Sequence, residues 1–315
     1  MNTIQVEIKE FLNHCRYEKN LSSKTIKAYS TDLTQFTKFL IEKTFSLEIL
    51  KISKFEIRGF LETISTMKPK SIKRKIATIK AMFNFLEFED KIIVNPFRKM
   101  RIKIQEDKRL PKVMDIKDVN AMMKYTYQKN NLCENLSSYT YSETLRNAVV
   151  IELLFATGAR VSEIANIKLE NINVIIGAIT IKGKGNKERI IEVCNRETLQ
   201  LLKKYQNHFL GKIQNSGGFF LINRFGKKLS DQSIRGIVKS ISTSLEIKPH
   251  VTPHVFRHTL ATLLLENDVD IKYIQTILGH SSIMTTQIYT HVNRKKQRQI
   301  LTLKHPRKNL TMAVL

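Results

Sequence analysis

Between Ile4 and Phe97 the apolar side chains return at three- and four-residue intervals. Only the 3.6-residue period of a helix turns that spacing into a continuous stripe. The segment LSSKTIKAYSTDLTQFTKFLIEK places Ile26, Tyr29, Leu33, Phe36 and Leu40 on one face behind a capping serine, Ser22 or Ser23. SKFEIRGFLETIS and KSIKRKIATIKAMFNFLEFE repeat the theme, and Ser71 is the expected cap of the latter. About four such helices predict a small bundle over residues 1–97. Phe36, Phe39, Phe83 and Phe85 are then core residues rather than platforms for stacking bases.

Asn95-Pro96 ends this region, and FRKMRIKIQEDKRLPK follows without a helical stripe. It reads as a basic linker over 98–110, whose cations could follow a phosphate backbone or simply be solvated. From residue 111 the helical pattern returns in MDIKDVNAMMKYTYQK, in SETLRNAVVIELLFATG (stopped by Gly158) and in the short ARVSEIANIKLENI. Between the first two lies a polar stretch, Gln128 to Tyr141. The period then changes once. AITIKGKGNKERIIEV alternates apolar and polar about a Gly-Lys-Gly-Asn turn, the pattern of a β-hairpin. Helical spacing resumes at ETLQLLKKYQNHFL and is expected to run to the end. At 315 residues two cores are expected rather than one. The fold class is mainly α: a helical bundle over 1–97, the linker over 98–110, and a helical domain with a small antiparallel sheet over 111–315.

Charge narrows the partner. Lys and Arg number 53 against 28 Asp and Glu, a formal net charge of +25. Such an excess suits a polyanion. Residues 1–110 carry 23 cations and 13 anions and the remainder 30 and 15, so both domains are basic and no single tail explains it. Cys15, Cys133 and Cys194 are far apart, which supports neither a disulfide framework nor a thiolate metal site. No apolar run reaches the roughly 18 residues of a membrane span, and no signal region opens the chain. The expected setting is the cytoplasm, without membrane contact.

Thr252 to Val292 holds four of the eight histidines, His254, His258, His280 and His291. Near them in the argument stand Arg160, just past Gly158; Lys184, between two glycines at the hairpin tip; Arg257, three residues after His254; and Tyr289. Singly, each has an ordinary reading as a solvated or packing side chain. Together they supply what phosphodiester cleavage without metal requires. Two guanidiniums hold non-bridging oxygens and offset transition-state charge. A phenol attacks phosphorus, an ammonium protonates the leaving oxygen, and imidazoles orient oxygens or accept the phenolic proton.

In order and spacing ATGARVSEI, KGKGNKER, TPHVFRHT, LGHSS and TTQIYTHV resemble the catalytic boxes of the tyrosine recombinase (phage integrase) family, closest to its bacterial Xer-like branch, including the late KHPRK. The resemblance covers about 110–308, and the region of LSSKTIKAYSTDLTQF is similar to that family's N-terminal core-binding, SAM-like domain. It implies Tyr289 as nucleophile, Arg160 and Arg257 as the phosphate clamp, and Lys184 as general acid. His254 becomes proton acceptor or phosphate ligand, His280 a second oxygen ligand, and Glu163 a brace for Arg160. His258 is expected in a packing or supporting role, and His250 and His291 outside the chemistry.

The same resemblance implies a C-shaped clamp on duplex DNA at a specific recombination site. Strands would be cut and rejoined through a 3′-phosphotyrosyl bond and a Holliday junction. A homotetramer, or a heterotetramer with a second recombinase, would act on two duplexes in the bacterial nucleoid, with no cofactor, metal or ATP. The C-terminal segment, with Ile300, Leu301 and Leu303, would pack on a neighbouring protomer, so ending the chain after Arg294 should spare binding and impair assembly. The polar stretch 128–141 looks longer than the compact Xer pattern and favours the integrase or transposase of a mobile element over resolution of chromosome or plasmid dimers. A type IB topoisomerase and a DNA-binding module without chemistry are the rival readings.

Overall fold

The computed structural model describes residues 3–105, 112–183, 188–248, 250–279 and 294–310. The chain divides into two compact units, Met1–Arg109 and Leu110–Leu315. In unit 1, α1 (Ile4–Asn13) runs into a π-helical turn, His14–Glu18, and is followed by α2 (Ser23–Glu42), α3 (Lys54–Thr63) and α4 (Pro69–Phe88). The stripe of α2 is buried as its spacing requires: Leu33, Phe36 and Leu40 are inaccessible, Ile26 nearly so and Tyr29 partly. Phe36, Phe39, Phe83 and Phe85 are all core residues, and Phe36 meets Phe60 edge-on with centroids 5.2 Å apart.

Ser22 caps α2, its Oγ accepting from Thr25 N–H at 3.2 Å. Ser53 and Glu56 form a reciprocal capping box on α3. Ser71 does not cap α4. Pro69 occupies its first turn, where the fixed φ suits helix entry and a missing N–H leaves nothing unsatisfied, so the helix begins before that serine. The expected linker is also only partly a linker. Residues 98–105 run along unit 1, where Met100, Ile102 and Ile104 pack against its core and Arg101 and Lys103 face solvent. A period of two inside a charged segment is an extended strip lying on a surface.

Unit 2 opens with α5 (Ile116–Asn131) and α6 (Tyr139–Thr157), capped by Asp115 and Ser138. The polar stretch 128–141 is therefore half helix ends, joined by residues 132–138, an ordinary helix–helix connection. Then come α7 (Val161–Ala165), β1 (Ile172–Asn173), β2 (Ala178–Lys182), β3 (Glu188–Glu192) and α8 (Arg196–Asn215). The sheet is antiparallel in the order β1-β2-β3, with Lys182 opposite Glu188 at the hairpin end. Helical structure is interrupted over residues 216–230, where Gly217, Gly218 and Gly226 take positive φ and Ile222 pairs with Lys228. Next are α9 (Asp231–Ser244), α10 (Pro253–Glu266), α11 (Ile271–Leu278) and α12 (Arg294–Lys304). No helix among the described residues is long and apolar enough to cross a membrane.

The centre of unit 2 is α6, and its one buried carboxylate, Glu152, is fully enclosed. Tyr127 Oη donates to it at 2.6 Å, Thr198 Oγ1 at 3.1 Å and Arg307 Nη2 at 2.7 Å. Arg307 also meets Glu197 at 2.9 Å. The tail as far as Leu310 thus packs within its own chain. Leu301 and Leu310 are buried and Ile300 half-buried, whereas Leu303 is 56% exposed, so the expected apolar cluster is split. Cutting after Arg294 removes Arg307 and leaves Glu152 buried without its cation; that cut tests folding and cannot separate binding from assembly.

Arg307→Ala should lower the stability of unit 2 by roughly 3–5 kcal/mol in denaturant unfolding, because a buried charge loses its partner. An unchanged midpoint for Arg307→Ala would refute this account. Beside it, burial holds the His305 imidazole down to about 4. The unfolded chain therefore binds the extra proton first. The contribution is intact above about 6.5 and lost as pH falls towards 4, by roughly 3 kcal/mol. His305→Phe should flatten that part of a stability–pH curve.

Candidate active site

Gly158 ends α6 in the left-handed conformation, φ 56°. A Cβ there would lie 2.5 Å from Leu278 Cδ2 and 2.9 Å from Leu260 Cδ2, so only glycine lets α10 and α11 close on the end of α6. The chain leaves Gly158 extended, and two residues later Arg160 caps α7. Glu163 accepts twice from that residue, from Arg160 N–H at 2.9 Å and from its Nη1 at 2.7 Å. The brace expected of Glu163 is present as drawn from the sequence.

Arg160 also donates from Nη2 to the Gly279 carbonyl at 3.1 Å, and Arg257 from Nη1 to the Gly158 carbonyl at 2.9 Å. Both acceptors belong to left-handed helix caps, whose carbonyls are not needed within the helix. Arg257 is 4% exposed, and its Nη2 is buried with no hydrogen-bond partner among the described residues. Burial, followed by the charge of Arg160, pulls the Arg257 guanidinium down to about 10. His254 stands exposed one turn before Arg257 on α10. Burial of part of the ring and the charges of Arg235, His258, Arg257 and Arg160 push its imidazole below the usual value. His258 is exposed as well, not packed in the core, and acts on His254 as a neighbouring positive group. His250 is exposed outside this group.

Arg160, His254 and Arg257 are therefore brought together. Lys184, His280, Tyr289 and His291 lie outside the described residues. The structure adds Arg189 on β3, which had no role in the sequence reading. Its Nη2 meets Glu163 at 2.7 Å and its Nε the Ile277 carbonyl at 2.9 Å, tying the hairpin to the end of α11. A Cβ on Gly279 would sit 2.8 Å from Arg189 Nη1, so the left-handed cap at Gly279 also makes room for this arginine. One signal for Arg189 was available: it opposes buried Ile181 in register, two before buried Ile191 on the same face. A cation on the inward face of a strand needs a buried partner.

Glu163 thus faces three guanidiniums. Burial would raise its carboxyl, but the hydrogen bonds and charges of Arg189 and Arg160 outweigh that and hold it below the usual carboxylate range. One anion among three fixed cations and a neutral-leaning imidazole leaves positive charge and unused donors. Such an arrangement has the charge and the free donor to receive an oxyanion.

The phage integrase family model matches residues 112–296, and the N-terminal SAM-like domain of phage integrases matches residues 8–90. A tyrosine recombinase of Agathobacter rectalis is 44% identical over 310 residues, 98% of this chain and 99% of its own. The tyrosine recombinase XerC of Pediococcus pentosaceus is 32% identical over 95% of this chain and 98% of its own. Among solved structures, a lambda integrase dimer bound to a COC′ core site superimposes with TM-score 0.66 at 17% identity, covering 92% of this chain and all of that one. The XerH recombinase in its post-cleavage complex with palindromic difH gives 0.67 at 18% identity, covering 94% and 80%. The fold is that of the integrases, and the chain belongs to the tyrosine recombinase (phage integrase) family, in its Xer-like branch. It is a site-specific recombinase.

Glu163→Gln leaves the shape but removes the carboxylate that Arg160 and Arg189 share. Small displacement of a group that positions substrate can lower rate by about 10²-fold, and a fall of that order is expected in the rate of covalent protein–DNA adduct formation. A rate within twofold of wild type would mean that Arg160 needs no brace.

Proposed function

We propose that this recombinase cuts and rejoins duplex DNA at a specific site through a 3′-phosphotyrosyl intermediate, with Tyr289 as nucleophile. The observation that carries the reading is the pair Arg160 and Arg257, each anchored by one nitrogen to a helix-cap carbonyl, with Arg257 Nη2 buried and unspent. A non-bridging phosphate oxygen satisfies that donor. The phenolic oxygen of Tyr289 bonds to phosphorus as the bond to the 5′-oxygen breaks. His254, whose partial burial and cationic neighbours favour the uncharged ring, takes the phenolic proton. Lys184 gives a proton to the departing 5′-oxygen, and His280 ligates a further oxygen. A 5′-hydroxyl from the partner duplex then reverses the attack. The phosphotyrosine conserves the bond energy, so the step draws on neither ATP nor metal.

Two basic domains, 1–97 and 111–315, would close as a clamp on each half-site. Four protomers on two duplexes would pass through a Holliday junction on the nucleoid, in the cytoplasm. The XerC relative aligns end to end, and the stretch 128–141 is two helix ends and a short loop. Both favour an Xer-like outcome, resolution of chromosome or plasmid dimers, over carriage on a mobile element.

The division of labour is testable. Tyr289→Phe should bind DNA and form no adduct. Lys184→Ala should be slowed by about 10²–10⁴-fold, the usual contribution of a general acid. A substrate with sulfur in place of the bridging 5′-oxygen releases a thiolate that hardly needs a proton, so it should restore cleavage by Lys184→Ala alone. Equal effects of sulfur on wild type and Lys184→Ala would remove Lys184 from the acid role.

A further inference from the structure

In unit 1 a second carboxylate is wholly buried. Asp32, on α2, is inaccessible and is held entirely from α4: by Arg74 through Oδ2, by Lys75 Nζ at 3.2 Å and by Thr78 Oγ1 at 3.2 Å. One cation would neutralise it, and Lys75, only 4% exposed, already does so. Arg74 is different. Its side chain is 46% exposed, with one nitrogen fixed to Asp32 and the rest of the fork outside that contact.

The face that carries Arg74 is one-sided in charge. Asp32 is the only acidic residue from Ser23 to Ile41 on α2 and from Pro69 to Leu86 on α4. The exposed row of α4 is Lys70, Lys73, Arg74, Ala77 and Lys80. Beside it on α2, exposed Gln35 has its side-chain oxygen engaged by Lys75, which leaves its amide as a donor only. Flexible lysines suffice to hold phosphates. A buried carboxylate lowers the attraction for phosphate, but it fixes the direction of a planar fork, which matters when the acceptor has one geometry. Ala77, one turn along, keeps the helix surface low around that fork, as approach to a groove floor requires.

We propose that Arg74 reads a guanine of the recombination site, its fork taking O6 and N7 in the major groove, and that Asp32 is the positioning residue that aims it. Guanine alone offers two adjacent acceptors on that edge, and a donor-only surface selects it. Phosphate oxygens share the acceptor chemistry and are the competing source. The inference rests on the recombinase reading above, so the experiment separates the two.

Full-length wild-type protein, Arg74→Ala, Arg74→Lys and the double variant Asp32→Asn/Lys75→Met are each used to select duplexes from a randomised pool. The double variant removes Asp32 without stranding a buried lysine. Wild type should enrich a motif containing a guanine in each half-site; enrichment of no motif would overturn the site-specific reading itself. Arg74→Ala should lose the preference at one position, by about 5- to 150-fold against other bases, the range for a bidentate contact. Arg74→Lys should keep the salt dependence yet lose the same preference, and the double variant should blur it with Arg74 intact. If Arg74→Ala instead weakens all sequences alike and lowers the salt slope by about 1, the contact is to phosphate and the inference falls. Retention of the motif by Arg74→Lys, or by a folded double variant, overturns the fork and the aiming respectively.

Discussion

The catalytic unit depends on a single backbone conformation, the left-handed turn at Gly158. Any Cβ there would collide with Leu260 and Leu278, so the close approach of α10 and α11 to the end of α6 exists only because the position is glycine. That approach brings Arg257 of α10 to the freed carbonyl of Gly158. The same turn releases the chain as an extended step into Arg160, whose guanidinium then reaches the carbonyl of the second left-handed cap, Gly279. Two helix ends, each left with an unpaired carbonyl by its cap, therefore become the anchors of Arg160 and Arg257.

The buried carboxylates differ in how their charge is met. Glu152 has one arginine, a phenol and a hydroxyl within hydrogen-bond reach and sits in a closed core. Its account with Arg307 is settled, and the interaction holds the tail to α6. Glu163 is outnumbered, with Arg160 and Arg189 bound and Arg257 close by. The first arrangement gains nothing from an added anion, whereas the second keeps an excess of positive charge that an added anion would lower. A site that is electrostatically incomplete in the free protein is preorganised for a group whose negative charge grows during reaction.

Much of this was legible before any coordinates. Gly158 as a helix stop, the hairpin from its alternation, and the buried stripe of α2 follow from local periodicity and backbone freedom, which neighbouring residues determine. Pairings across long sequence separation were not legible. Arg189 to Glu163 spans 26 positions, Arg160 to Gly279 spans 119 and Arg307 to Glu152 spans 155. The tail is the clearest case. KHPRK enters the sequence reading only through the family resemblance, and composition gives no hint that Arg307 is among the most deeply buried side chains described. The start of α4 failed for a different reason, since Ser71 and Pro69 both signal helix entry and the proline, lying earlier, took precedence.

Arg189 links the hairpin to this incomplete site in a way that bears on timing. β3 supplies Arg189, and the same hairpin carries the segment that includes Lys184. Arg189 binds the brace of Arg160 and the last-turn carbonyl of α11, the helix whose cap Arg160 itself holds. The hairpin, α7 and the end of α11 are thus closed into one hydrogen-bonded ring through Glu163. Displacing any one of the three would therefore strain hydrogen bonds to the other two. Arg160 and Arg257 repel each other beside this ring, and an anion placed between them would lessen that repulsion. Fixed acceptors thus hold both arginines in place while Glu163 offsets only part of their positive charge.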